Sequence, residues 1–127
     1  MTRRLAAILA ADVVGYSKLM EHDELGTLSA LKTHRAEVFD PVVVKRNGRV
    51  FKLVGDGVFA EFPSVFDAVQ CALEVQKLLA QTGSEIKLRI GINLGDVIAE
   101  GDDIYGDGVN IAARLEALSE PGSVCLS

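Results

Sequence analysis

Two aspartates and an Asn–Arg pair are the residues of this chain best suited to chemistry. Asp12 lies in Ala11-Asp12-Val13-Val14-Gly15-Tyr16-Ser17, and Asp56 in Phe51-Lys52-Leu53-Val54-Gly55-Asp56-Gly57. Each carboxylate stands where an apolar run gives way to a glycine, so a sheet would hold it as a rigid ligand. The glycine lets backbone N–H groups approach an anion closely. Side by side, two such carboxylates could hold Mg²⁺ ions, which take oxygen ligands and usually share them with substrate phosphates. Asn110 and Arg114 are four residues apart and would share one face of a helix. The set points to nucleotide chemistry.

Strands and helices must bring these side chains together. Arg3 and Arg4 before Leu5-Ala6-Ala7-Ile8-Leu9-Ala10-Ala11 could open a short signal peptide. Val13 and Val14 continue the apolar run past that cleavage point, which favours a buried first strand running into Asp12. A polar stretch from His22 to Thr27 precedes a helical pattern in Leu28, Leu31, Val38 and Phe39. Pro41 can kink or end that helix, and Val42-Val43-Val44 can carry it to the stop signal Asn47-Gly48. Arg49 to Val54 and Val58 to Phe62 read as two strands joined by an Asp-Gly hairpin turn. Ser64 and Asp67 form a capping signature before Val65, Val69, Ala72, Leu73, Gln76 and Leu79 at helical spacing. Ile86 to Asn93 and Val97 to Glu100 read as a second hairpin, broken at Leu94-Gly95-Asp96. Gly106-Asp107-Gly108 opens a third helix through Leu118, and Ser123 to Leu126 begins another strand. The order β-α-β-β-α-β-β-α-β implies an α+β fold, a ferredoxin-like, antiparallel-rich sheet with helices on one face. In it Asp12 and Asp56 can converge.

Composition narrows the partners. The chain has 127 residues, enough for one domain with a core. Hydrophobic residues make up 49% and charged residues 24%, which excludes a disordered chain. A net charge of −5 without a Lys/Arg cluster argues against a nucleic-acid surface. An acidic chain that binds a polyanionic nucleotide needs metal ions between the two. Cys71 and Cys125 lack partners at metal-ligand spacing and read as free thiols of a reducing cytoplasm. No apolar run is long enough to span a membrane. His22 and His34 are isolated and receive no role.

Four motifs in order carry a resemblance. They are Asp12-Val13-Val14-Gly15-Tyr16-Ser17, Lys52-Leu53-Val54-Gly55-Asp56-Gly57, Arg89-Ile90-Gly91-Ile92-Asn93-Leu94-Gly95, and Asp103-Ile104-Tyr105-Gly106-Asp107-Gly108-Val109-Asn110-Ile111-Ala112-Ala113-Arg114. From about Leu5 to Ser127 the chain resembles the catalytic domain of the class III nucleotidyl cyclases, the adenylate and guanylate cyclases. The resemblance implies that residues 1–127 are a partial domain of this kind, since family members continue through further strands and a helix. That further part carries a lysine that contacts the triphosphate.

The resemblance also implies roles. Asp12 and Asp56 would bind two divalent ions, Mg²⁺ or Mn²⁺, with the Val13 carbonyl as a further ligand. Backbone N–H groups at Gly15 and Tyr16 would receive phosphate oxygens. Lys52 and Asp103 resemble the pair that reads adenine, Lys52 donating to N1 and Asp103 accepting from the N6 amino group. Asp102 beside Asp103 leaves a one-residue ambiguity, and the Asp-Ile-Tyr-Gly spacing favours Asp103. Asn110 would orient the ribose, and Arg114 would stabilise charge on the α-phosphoryl group. In the family these groups come from opposite subunits, so the resemblance implies a homodimer with sites at its interface. The activity implied is an adenylate cyclase making cyclic AMP and pyrophosphate from ATP. Two alternatives stay open at this stage: a catalytically deficient nucleotide-binding or regulatory module of the same family, and a guanylate cyclase. The Gly-Gly-acidic-Glu-Phe signature of diguanylate cyclases is absent.

Overall fold

Strand β1, Thr2–Val13, is the spine of the molecule. Its residues Ala6 to Ala11 are all buried, which explains an apolar run without alternation: both faces of this strand are covered. The computed structural model describes residues 1–127. β1 pairs antiparallel with β3 (Gly57–Phe62) on one side and with β4 (Leu88–Glu100) on the other. β2 (Arg49–Val54) continues the sheet beyond β3, and β5 (Asp103–Tyr105) beyond β4, giving the order β2-β3-β1-β4-β5. β6 (Val124–Leu126) pairs parallel with the other end of β4, at Ile90 to Ile92. The α+β, antiparallel-rich architecture expected from the pattern is observed, and the apolar amino-terminal run is a strand.

Helices α1 (Tyr16–His22) and α2 (Glu24–His34) follow β1, and the Asp23 side chain caps α2 by accepting from the Gly26 N–H at 3.0 Å. A π turn, Arg35–Phe39, leads into α3, Asp40–Lys45. The widened turn comes just before Pro41, which cannot donate and whose ring would crowd the Glu37 carbonyl in a tighter helix. The chain leaves α3 through Asn47 at φ 65°. Helix α4, Val65–Thr82, starts where the capping signature placed it, with Ser64 Oγ accepting from the Asp67 N–H at 3.1 Å. These helices cover one face, where Leu9, Ala11 and Val13 pack with Phe39, Val43, Cys71 and Val75.

Two expectations are corrected. Helix α5, Asp107–Leu118, lies on the opposite face from the others, packing Val109 and Ala112 on Ala6, Ile8 and Ala10. The alternate residues of β1 are apolar too, so the second face also needs a cover. The hairpin expected at Leu94-Gly95-Asp96 does not exist. These residues stay in register with Ala7, Ala6 and Leu5, and the turn comes later, at Gly101 with φ 60°. Gly95 serves packing: a Cβ there would come within 3.3 Å of the Gly108 Cα on α5.

Candidate active site

β1 delivers Asp12 to one end of the sheet, and the β2–β3 turn delivers Asp56 to the same end, since Ala11 is paired with Val58. The Val13 N–H donates to Asp56 Oδ2 at 2.8 Å, which ties the two loops together. Asp56 is therefore more than a turn former. The neighbouring Val14 N–H donates to the Lys87 carbonyl at 2.8 Å and anchors the chain as it leaves the sheet. Asp12 Oδ1 is enclosed and has no hydrogen-bond partner. Gly15, at φ 65°, turns the backbone into α1, placing Tyr16 at that helix's first position.

Two further side chains belong to this end. Arg89 on β4 is the cross-strand partner of Asp12 and makes no ion pair. Glu116 on α5 is buried beside Asp12. Burial pushes its carboxyl up to about 8, the adjacent Asp12 and the nearby Asp56 add to the shift, and Arg89 opposes it. The sequence reading missed Glu116, although a signal was there. Val109, Ala112 and Glu116 recur at the spacing of one helix face, so a carboxylate occupies a position on the buried stripe.

Lys52 and Asp103 form a second cluster. Lys52 Nζ is 3.3 Å from Asp103 Oδ1, 3.4 Å from the Ile104 carbonyl oxygen and 4.9 Å from the centre of the Tyr105 ring. The Ile104 N–H donates to Asp103 Oδ1 at 2.7 Å, and this bond, helped by Tyr105 and Lys52, holds the Asp103 carboxyl below its ordinary range. A hydrogen bond to the Asp103 carboxylate in turn raises the Tyr105 hydroxyl. Asp102 offers only its backbone carbonyl, to Arg49 at 2.9 Å.

Asn110 and Arg114 share the exposed side of α5, and neither side chain has a hydrogen-bond or ion-pair partner in the chain. No hydrogen bond or ion pair joins Lys52, Asp103, Asn110 or Arg114 to Asp12 or Asp56. The structure brings the sequence-predicted residues into three groups, not one. No group of three or more His, Cys, Asp and Glu side chains is arranged to hold a metal ion. Cys71 is buried and Cys125 half-buried, both free. No helix is long and apolar enough to cross a membrane.

A family profile describing the adenylate and guanylate cyclase catalytic domain matches residues 3–127. The chain belongs to this cyclase family. Over 98% of its length the cyclase domain is 52% identical to a Rhizobium meliloti (strain 1021) protein named "Putative adenylate cyclase 3". It is 34% identical over 98% of its length to an adenylate cyclase of Streptomyces coelicolor. It spans 22% and 32% of the lengths of these two relatives. Among solved structures, it resembles an adenylate/guanylate cyclase/hydrolase from Silicibacter pomeroyi with a TM-score of 0.92 and 48% identity. That match covers 99% of this cyclase domain and 77% of the other chain. The adenylyl cyclase CyaB of P. aeruginosa is similar at a TM-score of 0.83 and 25% identity, over 99% of this chain and 78% of that one.

Proposed function

We propose that residues 1–127 form the catalytic domain of an adenylate cyclase that converts ATP to cyclic AMP and pyrophosphate at sites shared within a homodimer. The observation that carries this reading is the division of the candidate residues. Asp12 and Asp56 are tied together at one end of the sheet, while Asn110 and Arg114 face solvent on α5 with no partner in their own chain. A second copy packed head to tail supplies each group with the other.

The donor set suits divalent cations. Asp12 keeps an enclosed carboxylate oxygen with no donor, and two carboxylates fit ions that take their remaining ligands from phosphates. Asp12, Asp56 and the Val13 carbonyl would hold them. Bound Mg²⁺ or Mn²⁺ would acidify the ribose 3′-hydroxyl and offset charge on the triphosphate and the departing pyrophosphate.

The chain's own side chains do the rest. Lys52 donates to adenine N1, and Asp103 accepts from the N6 amino group. The carboxyl of Asp103 is held low by the Ile104 N–H and so stays an acceptor at neutral pH. Guanine presents the reversed pattern, an O6 acceptor and an N1–H donor. Asn110 orients the ribose so that its 3′-oxygen faces the α-phosphorus. As the new P–O bond forms and the bond to the β-phosphate oxygen breaks, Arg114 takes up charge on the phosphoryl oxygens. Arg89, unpaired across from Asp12, and the backbone N–H groups at Gly15 and Tyr16 are suited to the remaining phosphate oxygens. ATP as substrate and two free thiols favour a cytoplasmic setting.

The test is incubation of the purified protein with ATP or GTP and Mn²⁺ or Mg²⁺, with cyclic nucleotide and pyrophosphate quantified. The reading predicts cyclic AMP in excess of cyclic GMP, in step with pyrophosphate. Faster formation of cyclic GMP would remove the assignment of ATP, and no cyclic nucleotide with either metal, from this chain or from one that also carries the family's further strands and lysine, would remove the enzyme.

A further inference from the structure

We infer that Arg49 is a positioning residue for the base-reading pair: gripped by Glu61, its guanidinium holds the Asp102 carbonyl and so keeps Asp103 within reach of Lys52. The inference rests on the reading of Lys52 and Asp103 given above. It starts from β5, a strand that needs outside support. β5 has three residues, ends the sheet order and follows the exposed turn Gly101-Asp102. Asp102 and Ile104 are two apart, so their carbonyls leave the strand on one edge. The Asp102 carbonyl accepts from Arg49 Nη1 at 2.9 Å, and the Ile104 carbonyl from Lys52 Nζ at 3.4 Å. Two cationic side chains of β2 take the place of a neighbouring strand.

A bulge lets both side chains do this. Three positions apart on a regular strand, Arg49 and Lys52 would point to opposite faces. Here Arg49 stands opposite Glu61 and Lys52 opposite Phe59, so β2 carries one extra residue between them. Glu61 and Phe59 are two apart on β3 and share a face, and the bulge puts Arg49 and Lys52 on that same face. The two cations then divide the work. Lys52 cannot be the lasting tie, because its donors must turn to adenine N1. Arg49 has no second duty. Its Nε and Nη2 both lie 3.1 Å from Glu61 Oε1, and the rigid planar fork leaves Nη1 for the Asp102 carbonyl. Glu61 is fixed in turn by Arg4, whose Nη2 is 2.6 Å from Oε2, and its side chain is only 16% exposed.

The test compares Arg49→Leu, Arg49→Lys and Arg4→Leu by two readouts that need no turnover. One is hydrogen–deuterium exchange of the segment 101–105. The other is the ratio of affinities for 3′-deoxy-ATP and 3′-deoxy-GTP, which cannot cyclise. A hydrogen bond from a charged donor shifts an equilibrium by roughly ten-fold, so Arg49→Leu should speed exchange by about that factor and lower the preference for the adenine nucleotide by about three-fold or more. Arg49→Lys keeps a donor without the fork and should fall between Leu and wild type. Arg4→Leu takes an equal charge from the same carboxylate without touching β5, and should stay within about two-fold of wild type in both readouts. Wild-type exchange in Arg49→Leu overturns the inference. So does faster exchange with an unchanged base preference, or an Arg4→Leu variant that loses as much, since charge near Glu61 would then be the cause. Asp103→Ala tests the premise separately: if it keeps the wild-type preference, the pair does not read the base, and the inference falls with that reading.

Discussion

Lys52 and Asp103 meet at 3.3 Å although their strands, β2 and β5, lie at opposite ends of the sheet order. The sheet must coil for this to happen, bringing its ends toward each other over the face that α5 covers. Phe51 and Phe59, with ring centres 6.2 Å apart, pack against that face. Arg49 makes a second bridge between the same ends through the Asp102 carbonyl.

On the proposed reading, this pair sets base choice. Lys52→Glu combined with Asp103→Cys removes both the donor to N1 and the acceptor from the amino group. A mismatched buried hydrogen bond costs on the order of 1–3 kcal/mol, so the preference for ATP over GTP should fall by about ten-fold or more. The check is kcat/KM for both nucleotides. An unchanged ratio means these residues do not read the base.

Gly91 should not tolerate a side chain. Its Cβ would press on the backbone of α5, which cannot rotate away as a side-chain end could. Gly91→Ala should lower stability by roughly 1–3 kcal/mol, the usual cost of forced overpacking. Chemical denaturation measures this, and a wild-type midpoint would mean that α5 sits farther from β4 than described.

His34 predicts a pH dependence of stability. Burial, reinforced by Arg35 and opposed by Asp40, lowers it to about 4 from an ordinary 6.5, and its Nδ1 is enclosed without a partner. The unfolded chain thus binds a proton at a pH where the folded chain does not. The stability from a neutral His34 is complete above pH 6.5 and is lost as pH falls toward 4. Between pH 7 and 5 the loss attributable to His34 should be about 2 kcal/mol. Urea unfolding of wild type and His34→Leu across this range tests it, the variant showing a correspondingly flatter profile. Equal slopes would mean that His34 takes up its proton over the same pH range in the folded and unfolded chains.

Where the sequence carried a local rule, it could be read. Ser64 and Asp67 marked the start of α4, Gly55-Asp56-Gly57 marked a hairpin, and the Asn110–Arg114 spacing marked one exposed helix face. Errors arose where a residue answers to a distant neighbour. Gly95 looked like a turn because its reason, the backbone of α5 at Gly108, lies 13 positions away. Glu116 passed unnoticed because its partner Asp12 is on the first strand, and α5 lay on an unexpected face because apolar residues on both sides of β1 hide the alternation. The short helix α1 has no buried residue and so left no apolar period.

The shared site is the central claim, and complementation tests it most directly. Asp12→Ala and Arg114→Ala should each be inactive as homodimers, since every site then lacks one group. In a heterodimer of the two, one site carries both defects and the other neither. Random pairing puts about half the dimers in this form with one working site of two, so the mixture should recover up to roughly a quarter of wild-type cyclic AMP production. A mixture as inactive as its parents, with subunit exchange demonstrated by a label, would contradict the account: Asp12 and Arg114 would then not serve from opposite chains.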